Sequence, residues 1–266
     1  MQDLYEQGLQ ETQTSSVMAT RIIGKIENWV LENSEKVVFP HNTFLRAKLN
    51  SGVKFKEIEI IPNWSQFSFN PRLDREQTRA KFQLGDRKIV LHIGNMGVKQ
   101  GLENVVEAAK LAEIRKDNIL FVLVGSGNQV DSLKTIANDC ESIVFIPPVS
   151  EGDLSNLLAA ADILLVNEKP GVKQMSIPSK LTTYFQTGKP VLVCSEPNSL
   201  AALEVVDNQI GFWVKSGDPK ELLNSVIGLD LNTAKDAGLK ARNYAISNLS
   251  REAALGRFTN ALKSNH

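Results

Sequence analysis

The residues best suited to chemistry lie in the segment 87–101, RKIVLHIGNMGVKQG. Glycines at 94, 97 and 101 follow an apolar run at 89–93, and an amphipathic pattern begins at Leu102. This order predicts a strand, a glycine-rich turn and a helix. Glycine lets backbone N–H groups approach a ligand closely, and a helix N-terminus carries partial positive charge. The segment therefore predicts an anion site, most often one for phosphate.

The elements that must position this loop repeat regularly along the chain. The apolar runs lie at 89–93, 119–124, 143–146, 163–166, 191–194 and 211–214, and helical patterns lie between them. Strands that alternate with helices predict βαβ units and a parallel sheet covered on both faces. We therefore expect an α/β fold with a Rossmann-like doubly wound sheet.

The loops that follow these runs should meet at one edge of the sheet, where open parallel sheets bind their ligands. They comprise residues 94–101, 125–127, 147–150 and 167–177, and the helix after the fourth run opens with Pro178, Ser179 and Lys180. Lys99 and Lys180 each stand beside small residues at or near a predicted helix start. Either alone could be a solvated surface lysine, but their shared edge favours charge-assisted contacts to a diphosphate.

Other kinds of site fit the sequence less well. GSGNQV at 125–130 is only a partial dinucleotide fingerprint, and the second strand ends in Gly125 rather than the acidic residue that binds a ribose. The three histidines lack neighbours at metal-ligand spacing, and no G-x-S-x-G motif occurs. We expect no metal and no cofactor, and we expect His92, inside the first strand, to be a buried core residue.

Charge and composition indicate which classes of partner the protein binds and in which cellular compartment it works. The 30 basic residues balance the 30 acidic ones, which argues against a nucleic-acid binder. Two cysteines suit a reducing compartment, and the first residues do not resemble a signal peptide. We expect a cytoplasmic protein. Residues 15–31 predict an amphipathic helix that packs on a domain, because its polar face is not strongly basic as that of a membrane-surface helix would be. A peripheral contact with the inner face of the membrane stays open.

Six segments of the chain together resemble the donor-binding half of retaining glycosyltransferases with the GT-B fold. They are IIPNW, HIGNMGVKQGLENVVEAAK, FVLVGSGNQ, PPVSEGDLSNLLAAADILLV, IPSKLTTYFQTGKPVLV and GFWVKSGDP. They occur in the order that the family shows. The likeness is greatest to family 4, in the branch of colanic-acid and other exopolysaccharide glycosyltransferases, and it extends from about Ser15 to the end of the chain.

The resemblance implies a domain organisation. Residues 1–64 would be a remnant of the N-terminal acceptor domain and 65–86 a polar linker. Residues 87–229 would be the nucleotide-sugar donor domain and 230–266 the C-terminal helices, broken near Ser250. Most of the acceptor domain would be missing from this chain.

The resemblance also implies the ligands and the residues that hold them. The donor would be a nucleotide diphosphate sugar and the acceptor a glycan or a lipid-linked glycan. Lys99 and Lys180 would act on the diphosphate as the catalytic cations. The implied donor contacts are Gly94, Asn95, Met96, Gly97, Gly125, Ser126, Pro148, Val149, Met175, Ser176, Ser179 and Thr183.

Two departures from the family pattern keep a second hypothesis open. The family's usual pair of glutamates falls near Met175 and Thr183, neither of which is acidic. The family's Arg-Lys pair after the loop glycine is Val98-Lys99 here. The alternative is a non-catalytic nucleotide-sugar-binding module or a degenerate paralogue. An epimerase on the same fold would need acidic and histidine groups around the sugar, which the sequence does not offer.

Overall fold

The computed structural model describes residues 17–172 and 178–263. They form two compact units, one of residues 17–66 with 246–263 and one of residues 67–172 with 178–245. The strands are β1 (Lys36–Phe39), β2 (Glu57–Ile60), β3 (Lys88–Ile93), β4 (Ile119–Val124), β5 (Ile143–Ile146), β6 (Ile163–Asn167), β7 (Val191–Ser195) and β8 (Phe212–Lys215). The helices are α1 (Val17–Asn33), α2 (Asn42–Asn50), α3 (Arg75–Lys81), α4 (Glu103–Arg115), α5 (Val130–Ala137), α6 (Glu151–Ala160), α7 (Ser179–Gln186), α8 (Leu200–Asp207), α9 (Pro219–Gly228), α10 (Leu231–Asn248) and α11 (Arg251–Lys263).

The larger unit is built on a six-stranded parallel sheet with the order β5-β4-β3-β6-β7-β8. Every residue of β4 is buried, as expected for a strand in the interior of a parallel sheet. The helices α4, α5 and α9 cover one face through a shared apolar cluster that includes Val105, Leu133 and Leu222. The six strands predicted from the apolar runs are confirmed, and so is the Rossmann-like α/β fold.

The strand order fixes where a ligand can enter. The chain moves outward from β3 to β5, then crosses back to β6 and moves outward in the other direction. The direction in which successive strands are added to the sheet reverses between β3 and β6. The loops at the carboxyl ends of these two strands therefore run to opposite sides of the sheet. Strands β3 and β6 pair only at Val90 and Leu91. The loops after β3 and β6 therefore flank the natural crevice of this sheet.

The segment predicted as a polar linker contains the short helix α3. Asp74 begins it with a capping box, since its carboxylate accepts from the Gln77 N–H and the Gln77 side chain accepts from the Asp74 N–H. Arg79 in this helix is only 6% exposed and donates to Asp162, at 2.9 Å. This part of the segment therefore packs as part of the larger unit.

The smaller unit holds the parallel pair β1 and β2 and a small apolar cluster around Ile61, Ala254 and Ala261. As predicted from the sequence, a helix begins after Ser250, whose hydroxyl accepts from the Ala253 N–H at 3.1 Å. The predicted helix near residue 15 is also present as α1. No helix in the described part of the chain has the length and apolarity to cross a membrane.

Candidate functional site

The glycine-rich turns after β3 and β4 are bonded to each other. The Gly94 N–H donates to the Val124 carbonyl and the Met96 N–H to the Ser126 carbonyl, both at 2.8 Å. A Cβ on Gly125 would lie 2.1 Å from the Gly94 carbonyl oxygen, and one on Gly127 would lie 2.3 Å from the Met96 oxygen. Glycine is therefore required at both positions, and the two turns form one rigid backbone surface.

The far half of the first loop is held by the end of β6. The Asn167 amide donates to the carbonyls of Gln100 and Gly101, at 2.8 and 2.9 Å. The Gln100 side chain in turn accepts from the Gly97 N–H at 3.1 Å, across a single 3₁₀ turn. The loop 94–101 is thus anchored at both ends before any ligand binds.

Helix α7 places Lys180 beside this loop. Its ammonium nitrogen lies 3.2 Å from His92 Nε2, and 3.8 Å from the point where a Cβ of Gly94 would stand. Tyr184, one turn later, ties the helix to the sheet because its hydroxyl oxygen accepts from the Ile93 N–H at 2.9 Å. The structure therefore brings Lys180 and the glycine turns together, as the sequence predicts.

Burial dominates the electrostatics around Lys180. It lowers the pKa of the lysine to about 8, opposed by the attraction of Glu168. Burial likewise raises the pKa of Glu168 to about 7, and Lys180 opposes that shift. Burial and the nearby Lys180 hold the pKa of His92 well below its usual range. A neutral His92 can accept a hydrogen bond from the Lys180 ammonium.

The other predicted site residues lie in different environments. Asn95, Lys99, Ser126, Pro148 and Ser179 are exposed, and Gly94, Gly97, Gly125, Val149 and Thr183 are partly buried. Met96 is 1% exposed and belongs to the core, so only its backbone faces the loop. Met175 and Ser176 lie outside the described residues. Within the described ranges, no cluster of three His, Cys, Asp or Glu side chains could hold a metal ion.

The sequence reasoning missed Glu168 as an individual residue. It stands in the predicted loop 167–177, but nothing in its immediate pattern separates it from a solvated surface acid. In the structure it is 1% exposed. The position of an acid two residues after the apolar run 163–166, at the carboxyl edge where parallel sheets bind ligands, was the one signal that could have singled it out.

Residues 74–246 match the family described as Glycosyl transferases group 1. The chain belongs to this family. The chain is 32% identical, over 172 residues, to the protein named as colanic acid biosynthesis glycosyl transferase WcaI of Escherichia coli. The match covers 62% of this chain and 42% of that protein. The chain is 23% identical over 227 residues to glycosyltransferase WbjE of Pseudomonas aeruginosa, covering 81% and 55%. It therefore spans about half the length of these curated relatives.

Solved structures show the same fold. Anabaena HepE, solved in complex with UDP, superposes on this chain with a TM-score of 0.76 at 16% identity. The match covers 94% of this chain and 68% of that one. WaaG, described as a glycosyltransferase involved in lipopolysaccharide biosynthesis, gives a TM-score of 0.67 at 18% identity, covering 97% and 72%. The six-stranded unit thus matches the C-terminal Rossmann-like domain of GT-B glycosyltransferases.

The raised pKa of Glu168 predicts a pH-dependent stability. Its folded pKa of about 7 lies above the unfolded value of 4.5, so its stabilising contribution is complete below pH 4.5 and is lost as the pH rises through 7. Glu168→Gln should match the wild type at pH 4.5 and exceed its free energy of unfolding by about 3 kcal/mol at pH 8. Urea titrations at both pH values measure this difference. Glu107→Gln, a half-exposed acid paired with Lys110, is the control, and an equal effect at both pH values would contradict the prediction.

Proposed function

We propose that this chain is the donor-binding part of a family 4 glycosyltransferase. It would bind a nucleotide diphosphate sugar and transfer the sugar, with retention of configuration, to a glycan or lipid-linked acceptor. The observation that carries the proposal is the position of Lys180, a partly buried cation 3.2 Å from His92 and beside the paired glycine turns. A diphosphate is the natural partner of a cation and a glycine-rich backbone at the carboxyl edge of a parallel sheet. The names of the relatives and the UDP bound in the HepE structure support the same ligand class.

The chemistry of such a transfer requires stabilisation of the leaving diphosphate. Negative charge develops on the departing phosphate oxygen as the bond to the sugar breaks, and positioned cations lower the energy of that transition state. Lys180 would supply one such charge from a partly buried position. Lys99, exposed in the 3₁₀ turn, would supply the second from the solvent side. Gly125 and Ser126 after β4, and Pro148 and Val149 after β5, would line the nucleoside.

The second candidate function is a non-catalytic nucleotide-sugar-binding module. Thr183 favours it, because a threonine hydroxyl is a weaker acceptor for ribose hydroxyls than the carboxylate usual in the family. Both candidates predict donor binding, and only the first predicts transfer. A labelled-sugar assay separates them. We expect binding without turnover by this chain alone, and transfer once an N-terminal acceptor domain is supplied. Efficient transfer by the chain alone would overturn that expectation.

Lys180→Ala should weaken binding of UDP, GDP or dTDP, whichever the wild type prefers, by about 10- to 100-fold, since it removes a buried charge-assisted contact. Lys99→Ala should cost less, because the side chain is exposed and its charge is screened. Wild-type affinity should also fall above about pH 8, where Lys180 loses its proton.

Isothermal titration calorimetry with each diphosphate measures these affinities. Lys134→Ala, an exposed lysine on α5 outside the loops at the carboxyl edge, is the matched control. Saturable binding that is unchanged in Lys180→Ala would contradict the assignment of Lys180. No binding of any nucleotide by the wild type would overturn the proposed function.

A further inference from the structure

Glu168 is the least satisfied polar group beside the candidate site. It directly follows β6, and its side chain is 1% exposed. Neither carboxylate oxygen has a hydrogen-bond partner among the described residues. Its backbone N–H donates to the Cys194 carbonyl at 2.9 Å, so the strand pairing of β6 and β7 fixes its position.

Glu168 lies between the residue that anchors the glycine loop and the lysine beside that loop. The Asn167 amide is directed at the carbonyls of Gln100 and Gly101. Glu168 lies near enough to Lys180 for each charge to affect the other. The two side chains thus share one buried environment at the carboxyl edge of the sheet.

The carboxylate and the ammonium do not bond to each other, since both oxygens of Glu168 lack a partner. The Lys180 ammonium contacts His92 Nε2 instead. A carboxylate only accepts hydrogen bonds and an ammonium only donates them. A hydroxyl group does both, so it can donate to Glu168 and accept from Lys180 at the same time. A phosphate oxygen can accept from another N–H of Lys180, but it offers no donor to Glu168.

A buried, unpartnered carboxylate is costly, and a leucine or glutamine at this position would cost less. The cost is offset when a ligand supplies the missing donor. Within a nucleotide diphosphate sugar, the hydroxyls that can donate hydrogen bonds near the diphosphate belong to the transferred sugar and to the ribose, and comparing the bare diphosphate with its sugar-linked form distinguishes the two. Glu168 is therefore suited to a hydroxyl beside the diphosphate, and the three N–H donors of Lys180 let it contact that hydroxyl, His92 and a phosphate oxygen together.

We propose that Glu168 and Lys180 together bind one hydroxyl group of the donor sugar, which donates to the Glu168 carboxylate and accepts from the Lys180 ammonium. This inference rests on the proposed donor site and extends it to the choice of sugar. Glu168 is then a specificity-determining residue. A site built to bond a hydroxyl rejects analogues that lack it, because its buried polar group stays unpaired.

The test compares nucleoside diphosphates with their sugar-linked forms. Wild type, Glu168→Gln, Glu168→Leu and the control Glu107→Gln are titrated by calorimetry with UDP, GDP and dTDP, and with UDP-glucose, GDP-mannose and dTDP-glucose. Both Glu168 variants should bind the sugar-linked ligand about 10- to 100-fold more weakly than the wild type does, and should bind the bare diphosphate within about threefold of it. A thermal melt establishes that each variant is folded.

Monodeoxy analogues of the preferred donor then identify the hydroxyl. One analogue should bind weakly to the wild type and no more weakly to Glu168→Leu, because the two changes remove the same contact. Equal losses for the diphosphate and its sugar-linked form would overturn the proposal and show that Glu168 acts only through Lys180 or the fold. Unchanged affinity for both would overturn it as well. If the wild type binds the diphosphates but no sugar-linked form, the sugar contact fails while nucleotide binding stands. If it binds neither, the proposed function itself fails.

Discussion

Replacing Gly125 by alanine is expected to lower the free energy of unfolding by at least about 3 kcal/mol and to abolish nucleotide binding. The added Cβ would lie 2.1 Å from the Gly94 carbonyl oxygen, and the φ of +138° is one that L-residues with side chains rarely adopt. Neither turn can yield, because the Gly125 N–H donates to Ile146 and the Gly94 N–H to Val124. Thermal melts and calorimetric titration with UDP or GDP measure both effects.

Substitutions at two other glycines separate the two causes of that loss, which are backbone strain and the clash of the added Cβ. Gly171 also has a positive φ, of +77°, but a Cβ there would have no neighbour within 4 Å. Gly171→Ala therefore measures backbone strain alone and should lower the free energy of unfolding by about 1 kcal/mol. Gly152 lies in α6 with open space around it, and Gly152→Ala should be neutral or slightly stabilising. If Gly125→Ala costs no more than Gly171→Ala, the close approach of the two turns is not what requires glycine.

Arg79→Met should lower the free energy of unfolding by about 3–4 kcal/mol. The Arg79 guanidinium donates to the carbonyls of Gly85, Arg87 and Ala160 and to the Asp162 carboxylate, all from a position that is 6% exposed. Methionine keeps the length of the side chain and removes every one of these donors. Urea denaturation followed by circular dichroism measures the loss.

Arg75 provides the matched control, because it pairs with the same carboxylate. Its nitrogen lies 2.6 Å from the other oxygen of Asp162, but the Arg75 side chain is 50% exposed. Arg75→Met should therefore cost less than about 1 kcal/mol. Equal losses in the two variants would mean that the burial of Arg79 and its carbonyl contacts contribute little.

The local patterns of the sequence predict most of the sheet. Buried strands of a parallel sheet are nearly continuous apolar runs, so runs such as 119–124 predict their strands directly. The rule that ligands bind at the carboxyl edge then brings the glycine loop and Lys180 together, although they are far apart in the chain. The structure confirms that proximity, with the Lys180 ammonium beside Gly94.

Long-range contacts could not be predicted from those patterns. Arg79 lies in a polar segment that reads as a linker, and only its contacts with Asp162 and Ala160 show that it is buried. Met96 sits among the loop glycines, yet its side chain joins the core. Glu168 is an ordinary acid in sequence and an unpartnered one in the structure. Burial and pairing of such residues depend on which strands are neighbours, which the chain order alone does not reveal.

Asn167 and Glu168 are adjacent in sequence but differ in how far their hydrogen-bonding capacity is used. The Asn167 amide donates to two loop carbonyls and its oxygen accepts from Asn104, at 3.2 Å. Glu168 makes no side-chain bond within the described protein. Substitutions at Glu168 can therefore change sugar preference while Asn167 keeps the glycine loop in place. Paralogues of this fold could diverge in sugar specificity through one position without rebuilding the surface that holds the diphosphate.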